Sequence, residues 1–384
     1  MRQLNETIDV LDRLIGFPTI SSDSNMDCII YIQDYLKALG ARCELTSEEA
    51  GKANLFATLG PKGDGGIILS GHTDVVPVEG QNWSSDPFKM RNEGGKLYGR
   101  GSCDMKGFIA ASMVTAQIYA KQELKRPIHF AFTYDEETGC TGARVLVNQL
   151  VKDGLKPSVC IIGEPTSMGI IDGHKGCAGY TTEFTGVEGH SSLPGQAVNA
   201  LEYASRFVLR LMKLREEMPA RAPVNSTFEP PYTTSSVCGV HSGVAHNVIP
   251  NKALVEWEMR TVQQSDQVYL RDAMQDFVDT VLLPEMKAKS PQAKIEEVFC
   301  SEVAGLEPDE HSEAVRLIRD LTGRNSTGVV SFGTEAGLFH SAGISSALCG
   351  PGSIEQAHRP DEFVEISQLD ECLKMLERLA GELV

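Results

Sequence analysis

The sequence predicts an α/β protein with a mostly parallel mixed sheet, interrupted by a smaller α+β domain. Three observations predict it. Short apolar runs alternate with segments of helical period up to about residue 165, and the alternation resumes after residue 304. Three of these runs end in a residue type that can hold a metal: Ile67-Ile68-Leu69 leads into Ser70-Gly71-His72, Ile128 to Thr133 into Tyr134-Asp135-Glu136-Glu137, and Val159 to Ile162 into Gly163-Glu164. In open α/β sheets, active sites gather outside the carboxyl ends of strands. Between the two α/β parts, residues 178–304 read strand–helix–strand–strand–helix–strand, which suits a compact, ferredoxin-like α+β insert.

The elements follow in order. Leu4, Ile8, Leu11 and Ile15 form one stripe, so residues 4–15 are a helix. Residues 26–39 are a second helix, stopped by Gly40. Helical stretches at 106–121 and 141–152 separate the three apolar strands. From Tyr180 to Phe184 the pattern alternates like a half-exposed strand, and a helix runs from beyond Gly195 to about Met218. A loop rich in Pro and Thr occupies 219–234. Strands at 235–241 and 253–262, a helix at 266–288 and a strand at 293–303 complete the insert. A helix at 310–322, a strand at 345–349 and a helix at 367–381 close the chain. The expected organisation is therefore a catalytic domain at 1–177 and 305–384, with a dimerisation or lid domain at 178–304.

The chain has 384 residues, 41% apolar and 23% charged. That composition supports a large core and two or three domains, and it excludes a disordered tail, a collagen-like repeat or a miniature disulfide scaffold. The net charge of −17 provides no basic footprint for nucleic acid or anionic membranes and serves solubility. Ten cysteines are scattered with no C-x-x-C pair, so they read as small buried residues of a reducing compartment. No apolar stretch reaches 18 residues, and the N-terminus lacks the apolar core of a secretory signal. A cytoplasmic protein is expected.

The candidate chemistry lies in five residues that are each ordinary alone. His72 is followed two residues later by Asp74, and an imidazole can bind a divalent ion while a nearby carboxylate supports it. Asp104 precedes a helix, where it can cap the first turn or bridge two ions. Asp135-Glu136-Glu137 is either a solvated acidic turn or a metal ligand beside a proton-transfer group. Glu164 ends a strand, and His358 lies in a loop. Taken together, His72, Asp104, Glu137, Glu164 and His358 suit two divalent ions sharing Asp104, with a bridging water as the nucleophile.

These motifs make the chain recognisable. It resembles the acetylornithine deacetylase and succinyl-diaminopimelate desuccinylase family of dinuclear zinc amidohydrolases over essentially its whole length. The likeness is carried by Ser70 to Pro77, Tyr98 to Gly107, Asp135 to Gly139, Gly163 to Thr166 and the segment around His358. Cys140-Thr141-Gly142-Ala143, Gly173-His174-Lys175-Gly176 and Ile354 to Glu362 narrow it to the acetylornithine deacetylases. His241-Ser242-Gly243-Val244 departs from the family's more usual Gly-Gly-Thr run. The resemblance implies a zinc-peptidase-like fold and two zinc ions per subunit, with cobalt as a substitute. His72 and Glu164 would hold one ion, Glu137 and His358 the other, and Asp104 both. Glu136 would be the general base and Asp74 would orient His72. The smaller domain would form a homodimer through which His190 acts in trans on the oxyanion. Asn247, Arg260, Thr334 and Glu335 would face an N-acyl amino acid, and the reaction would serve arginine biosynthesis.

The residues themselves leave plainer alternatives: His190 as a polar turn, Arg260 as a strand-face ion pair. Other function classes fit less well. Gly99-Arg100-Gly101 precedes a helix as in a dinucleotide loop, but the third glycine falls only at Gly107 and Asp104 would face a phosphate. No G-x-S-x-G elbow marks a serine hydrolase. A non-catalytic binding module of the same fold would be expected to lack ligands or the base, and all are present. Desuccinylase, deacylase and dipeptidase activities share the metal constellation and differ in their pockets.

Overall fold

Apolar stripes set the helices. Val10, Leu11, Leu14 and Ile15 of helix Arg2–Ile15 are buried, with Leu4 and Ile8 half-buried at its open end. Helix Met26–Ala38 buries Cys28, Ile29, Ile32 and Leu36. Helix Gly107–Tyr119 has no polar face to show, because it packs between the first helix and helix Ile366–Leu379. The helix expected at 310–322 starts at Glu313, because Ser312 caps it by accepting the N–H of Val315.

The computed structural model describes residues 2–384, and the chain divides into two compact units. The first comprises Met1–Gly173, Pro308–Val329 and Thr334–Val384; the second comprises His174–Glu307 and Val330–Gly333. Each has its own apolar core.

An eight-stranded mixed sheet carries the first unit. Its order is Arg42–Thr46, Asn54–Leu59, Ile128–Thr133, Ile67–His72, Val159–Pro165, Ser345–Gly350, Ile170–His174, Thr327–Val330. Parallel pairing joins the central four strands, with Ile67 opposite both Ile128 and Val159, and Ser345 also opposite Val159. Antiparallel strands border them, so the sheet is mixed. The sequence reading lacked Arg42–Thr46, Asn54–Leu59, Ile170–His174 and Thr327–Val330. Arg42–Thr46 is half-exposed without clean alternation, and Thr327–Val330 is half-buried throughout, so neither shows a strand period.

Parallel register has a direct consequence. Strands that start level end level, so His72, the turn after Thr133 and Glu164 arrive at one edge of the sheet. Close helix–sheet contact keeps them there. A Cβ on Gly163 would lie 1.9 Å from Cγ of Phe108, so only glycine lets helix Gly107–Tyr119 sit on the strand that delivers Glu164. A separate three-stranded sheet pairs Phe363 with Tyr98 and Val364 with Leu97. It ties the end of the chain to the segment before Asp104.

In the second unit, an antiparallel sheet runs Thr234–Ser242, Lys252–Thr261, Gly176–Thr185, Lys294–Val303. With helices Ala200–Glu217 and Gln264–Phe277, this is the ferredoxin-like order. Gly176–Thr185 alternates buried and half-buried residues along its length.

One core histidine makes the first unit sensitive to acid. Nδ1 of His129 lies 2.8 Å from Oγ1 of Thr58, and its ring stacks on Phe56. Burial, helped by the Arg42 charge, pushes its pKa down from 6.5 to about 4. Between those values the unfolded chain binds a proton that the folded chain does not, so stability falls as pH drops from about 6.5 towards about 4. Denaturant unfolding of the wild type at pH 7 and pH 4.5 should therefore show about 2–3 kcal/mol more acid loss than a His129→Gln variant. Equal losses would show that His129 is not the group responsible.

Candidate active site and metal centre

His72 is the last residue of its strand. Its Nδ1 lies 2.9 Å from the main-chain oxygen of Asp74, which places the ring proton on Nδ1 and leaves the lone pair on Nε2. That Nε2 is 3.0 Å from Oδ1 of Asp104. The ligating atoms of His72, Asp104 and Glu164 lie within 4.8 Å of one another, and so do those of Asp104, Glu137 and His358. On the second side, Nε2 of His358 is 3.0 Å from Oε2 of Glu137 and 3.4 Å from Oδ2 of Asp104. The five sequence-assigned ligands therefore form two pockets that share Asp104, one oxygen to each imidazole.

Asp104 does not cap the following helix. Its backbone is non-helical, the Asp104–Met105 peptide is cis, and no side-chain cap bond forms at Gly107. What holds the loop is Glu362, which the sequence reading left without a role. Its buried carboxylate accepts the N–H groups of Gly101 (3.0 Å), Cys103 (2.9 Å) and Asp104 (3.1 Å). The Arg100 guanidinium, equally buried, donates to it at 2.8 Å and neutralises it. No local signal marks either residue, because their partners are some 260 positions apart in the chain.

Asp74 plays a second part beside the one expected of it. Its carboxylate is 3.6 Å from Nδ1 of His72, too long for a hydrogen bond. Its oxygens instead accept the Ser21 hydroxyl (2.7 Å), the N–H of Glu136 (3.1 Å) and the N–H of Glu137 (3.4 Å). Asp74 thus aligns the acidic turn directly, while its main chain orients His72. Asp135 pairs instead with Lys52 at 2.5 Å. Of the three consecutive acids, one pairs with a lysine, one joins the donor set of Asp104 and His358, and Glu136 accepts the Cys140 thiol at 3.5 Å on Oε1.

Thr334 and Glu335 are fully buried. Glu335 accepts the Ser70 hydroxyl at 2.5 Å on one oxygen and the Thr133 hydroxyl at 2.8 Å on the other, and Thr334 accepts the N–H of Ala336. Glu335 thus braces two neighbouring strands, and Thr334 lies at the start of the following helix; both side chains are buried in this structure, where the sequence reading expected them to face a substrate. In the second unit, His190 is exposed and pairs with Val248 across a two-residue ladder; Ser191 donates to the main chain of Asn247 at 3.1 Å, so His190 and Asn247 are neighbours. Arg260 is half-buried and paired with Glu258 at 3.0 Å.

The electrostatics fit divalent ions. Burial pushes the Glu164 carboxyl well up, with the Asp104 and Glu136 charges adding to it. Glu136 is likewise raised well above its ordinary value by burial, against the opposing pull of His72. For His72, burial works to lower the pKa but is outweighed by Asp104, Asp74 and Glu136. Hydrogen bonds to Asp104 and Glu137 push His358 up to about 10. Oε1 of Glu164 is buried with no hydrogen-bond partner. Like charges crowded at strand ends and an orphaned carboxylate oxygen are both relieved by cations bound between them.

A model of peptidase family M20/M25/M40 matches residues 68–382. The acetylornithine deacetylase of Pasteurella multocida is 32% identical to the chain, covering 100% of it and 99% of that protein. The acetylornithine deacetylase of Proteus mirabilis is 34% identical, covering 97% and 95%. A tripeptidase from Staphylococcus aureus shares the fold with a TM-score of 0.73 at 20% identity, over 98% of this chain and 99% of that one. A dinuclear metal-binding peptidase of the M20 family from Bacillus subtilis does so at 0.67 and 16% identity, over 100% and 99%.

Because Asp104 serves both pockets and Glu164 only one, their variants should differ in stoichiometry. Elemental analysis after zinc loading and dialysis should find about two ions per wild-type chain, about one for Glu164→Gln and nearly none for Asp104→Asn. Two ions retained by Asp104→Asn would remove it as the shared ligand.

Proposed function

The chain belongs to peptidase family M20/M25/M40, and from that premise we propose that it hydrolyses the N2-acetyl amide of N2-acetyl-L-ornithine to L-ornithine and acetate. It is a metal-dependent amide hydrolase. The observation that carries the reading is the pair of donor sets joined by Asp104 with Glu136 beside them. Full-length likeness to acetylornithine deacetylases supports the substrate. Desuccinylase, N-acyl-amino-acid deacylase and dipeptidase activities are the alternatives within the same chemistry.

His72 and Glu164 would hold one zinc ion, Glu137 and His358 the other, and Asp104 both; cobalt suits the same donors. Two such ions supply electrostatic stabilisation of developing negative charge and make hydroxide accessible near neutral pH. Glu136 takes the proton from the attacking water and returns it to the leaving amine. Its backbone is anchored on Asp74, which fixes the carboxylate beside the two donor sets. His190 supplies a hydrogen bond to the oxyanion. The N–H of Ser192 donates to its Nδ1 at 3.2 Å, which keeps the proton of the neutral ring on Nε2. Arg260 offers a bidentate grip for the substrate carboxylate.

A homodimer in which His190 and Asn247 serve the partner's site is supported by their placement. Arg260 lies eight residues, about 26 Å, along its strand from Lys252, whereas Ile249, paired beside His190, lies three residues before Lys252. One copy of this unit therefore presents His190 and Arg260 in different places, which a small substrate does not span. All ten cysteines are free thiols, in keeping with a cytoplasmic location, and no described helix is long and apolar enough to cross a membrane.

Zinc-reloaded protein should release amine fastest from N-acetylornithine in a panel with N-acetylmethionine, N-succinyl-diaminopimelate and a dipeptide. Another leading substrate would move the assignment within the family. Glu136→Gln should keep its metal and lose at least about a hundredfold in turnover; retained turnover would eliminate it as the base. Mixing inactive Glu136→Gln and His190→Ala chains under subunit exchange should restore activity, since the hybrid holds one intact site. No restoration despite proven hybrids would place His190 in its own chain's site or outside the reaction.

A further inference from the structure

We infer that Gln81, Arg100 and Glu362 form a hydrogen-bonded lock that sets the affinity of the second metal pocket by positioning Asp104 and His358 against each other. The inference rests on the reading of Asp104, Glu137 and His358 as a metal pocket. Both ends of the lock reach main-chain atoms of ligands. Glu362 receives the N–H of Asp104 at 3.1 Å, and the Gln81 side-chain amide donates to the main-chain oxygen of His358 at 2.9 Å. Arg100 joins them: it donates to Glu362 at 2.8 Å, to Oε1 of Gln81 at 2.6 Å and to the main-chain oxygen of Arg359 at 3.3 Å.

The need for such a lock is visible in the backbone. His358 is exposed and sits at φ 62°, a left-handed conformation that a non-glycine residue keeps only when its surroundings impose it. Asp104 lies in an irregular loop with φ −121° and ψ 89°. Neither ligand stands on a regular element, unlike His72 and Glu164, which are strand residues. The first pocket has two ligands on adjoining strands of the sheet; in the second, Asp104 and His358 lie on loops that the Tyr98–Phe363 pairing brings together and this side-chain lock holds against each other. Trp83 braces it, its ring 5.0 Å from the Arg100 guanidinium and its N–H on Gln81 at 3.1 Å. Ligand-supporting residues of this kind are worth about ten- to a hundredfold in metal affinity.

Gln81 is the place to test it, because removing Glu362 or Arg100 leaves a buried charge unpaired and can prevent folding. Gln81→Met keeps the side-chain length and removes all three hydrogen bonds, to His358, Arg100 and Trp83. Gln81→Glu keeps an acceptor for Arg100 and removes the donor to His358. Zinc titration of metal-free protein against a chromophoric chelator should show the second ion weakened about ten- to a hundredfold in both variants, the first ion unchanged. Cobalt spectra should differ from wild type only after the first equivalent, and metal-free melting temperatures should match. Unchanged affinities for two ions would overturn the lock and leave the dinuclear centre standing. Equal weakening of both ions would overturn it as a general structural effect. A wild-type protein that binds no second ion would overturn the lock together with its premise.

Discussion

Negative charge gathered around Asp104 is the constraint on which the rest of this structure depends. Asp104, Glu136, Glu137 and Glu164 converge at one sheet edge, with His72 and His358 among them. Such a cluster repels itself and, where buried, resists ionisation. It persists because strong main-chain anchors hold it. Asp74 accepts two N–H groups from the acidic turn, and Glu362 accepts three from the Asp104 loop. Each anchor is a carboxylate outside the metal pockets, and Glu362 is itself neutralised by a buried arginine. The site is a set of crowded acids held in place by two further acids that bind main-chain N–H groups.

Strand register does the coarse positioning and side-chain hydrogen bonds the fine. Parallel pairing of the central strands brings His72 and Glu164 to one edge without further help. Two small pairings then close the distance along the chain. An isolated bridge between Ile20 and Val75 sets Ser21 beside Asp74, and the three-stranded sheet sets Glu362 beside Gly101. Lys52 removes Asp135 from the cluster, so three consecutive acids take three different parts. Glu335 occupies the layer beneath, tying the strands of Ser70 and Thr133.

The second unit is built on a different logic. Its sheet is antiparallel, its two central strands bury every second residue, and it carries polar groups near both ends of strand Lys252–Thr261. His190 is oriented by Ser192, and Arg260 is restrained by Glu258. These are local devices of two residues' separation, so each side chain is restrained by its own strand or turn.

Much of this was legible in the sequence. The apolar runs, the ligand type at the end of each and the β-α-β-β-α-β insert all follow from local periodicity, and His72, Asp104, Glu137, Glu164 and His358 could be grouped because chemistry restricts which side chains hold divalent ions. Sequence alone did not separate the two parts of Asp74, did not remove Glu335 to the interior and attached no role to Arg100, Gln81 or Glu362. Those assignments depend on which hydrogen-bond acceptor reaches which main-chain N–H across gaps of sixty to about 260 residues. Residue type and spacing determine what chemistry is available; only the folded chain decides whether a carboxylate faces a cation, a backbone amide or an arginine, because burial and distance set that choice and neither is a local property.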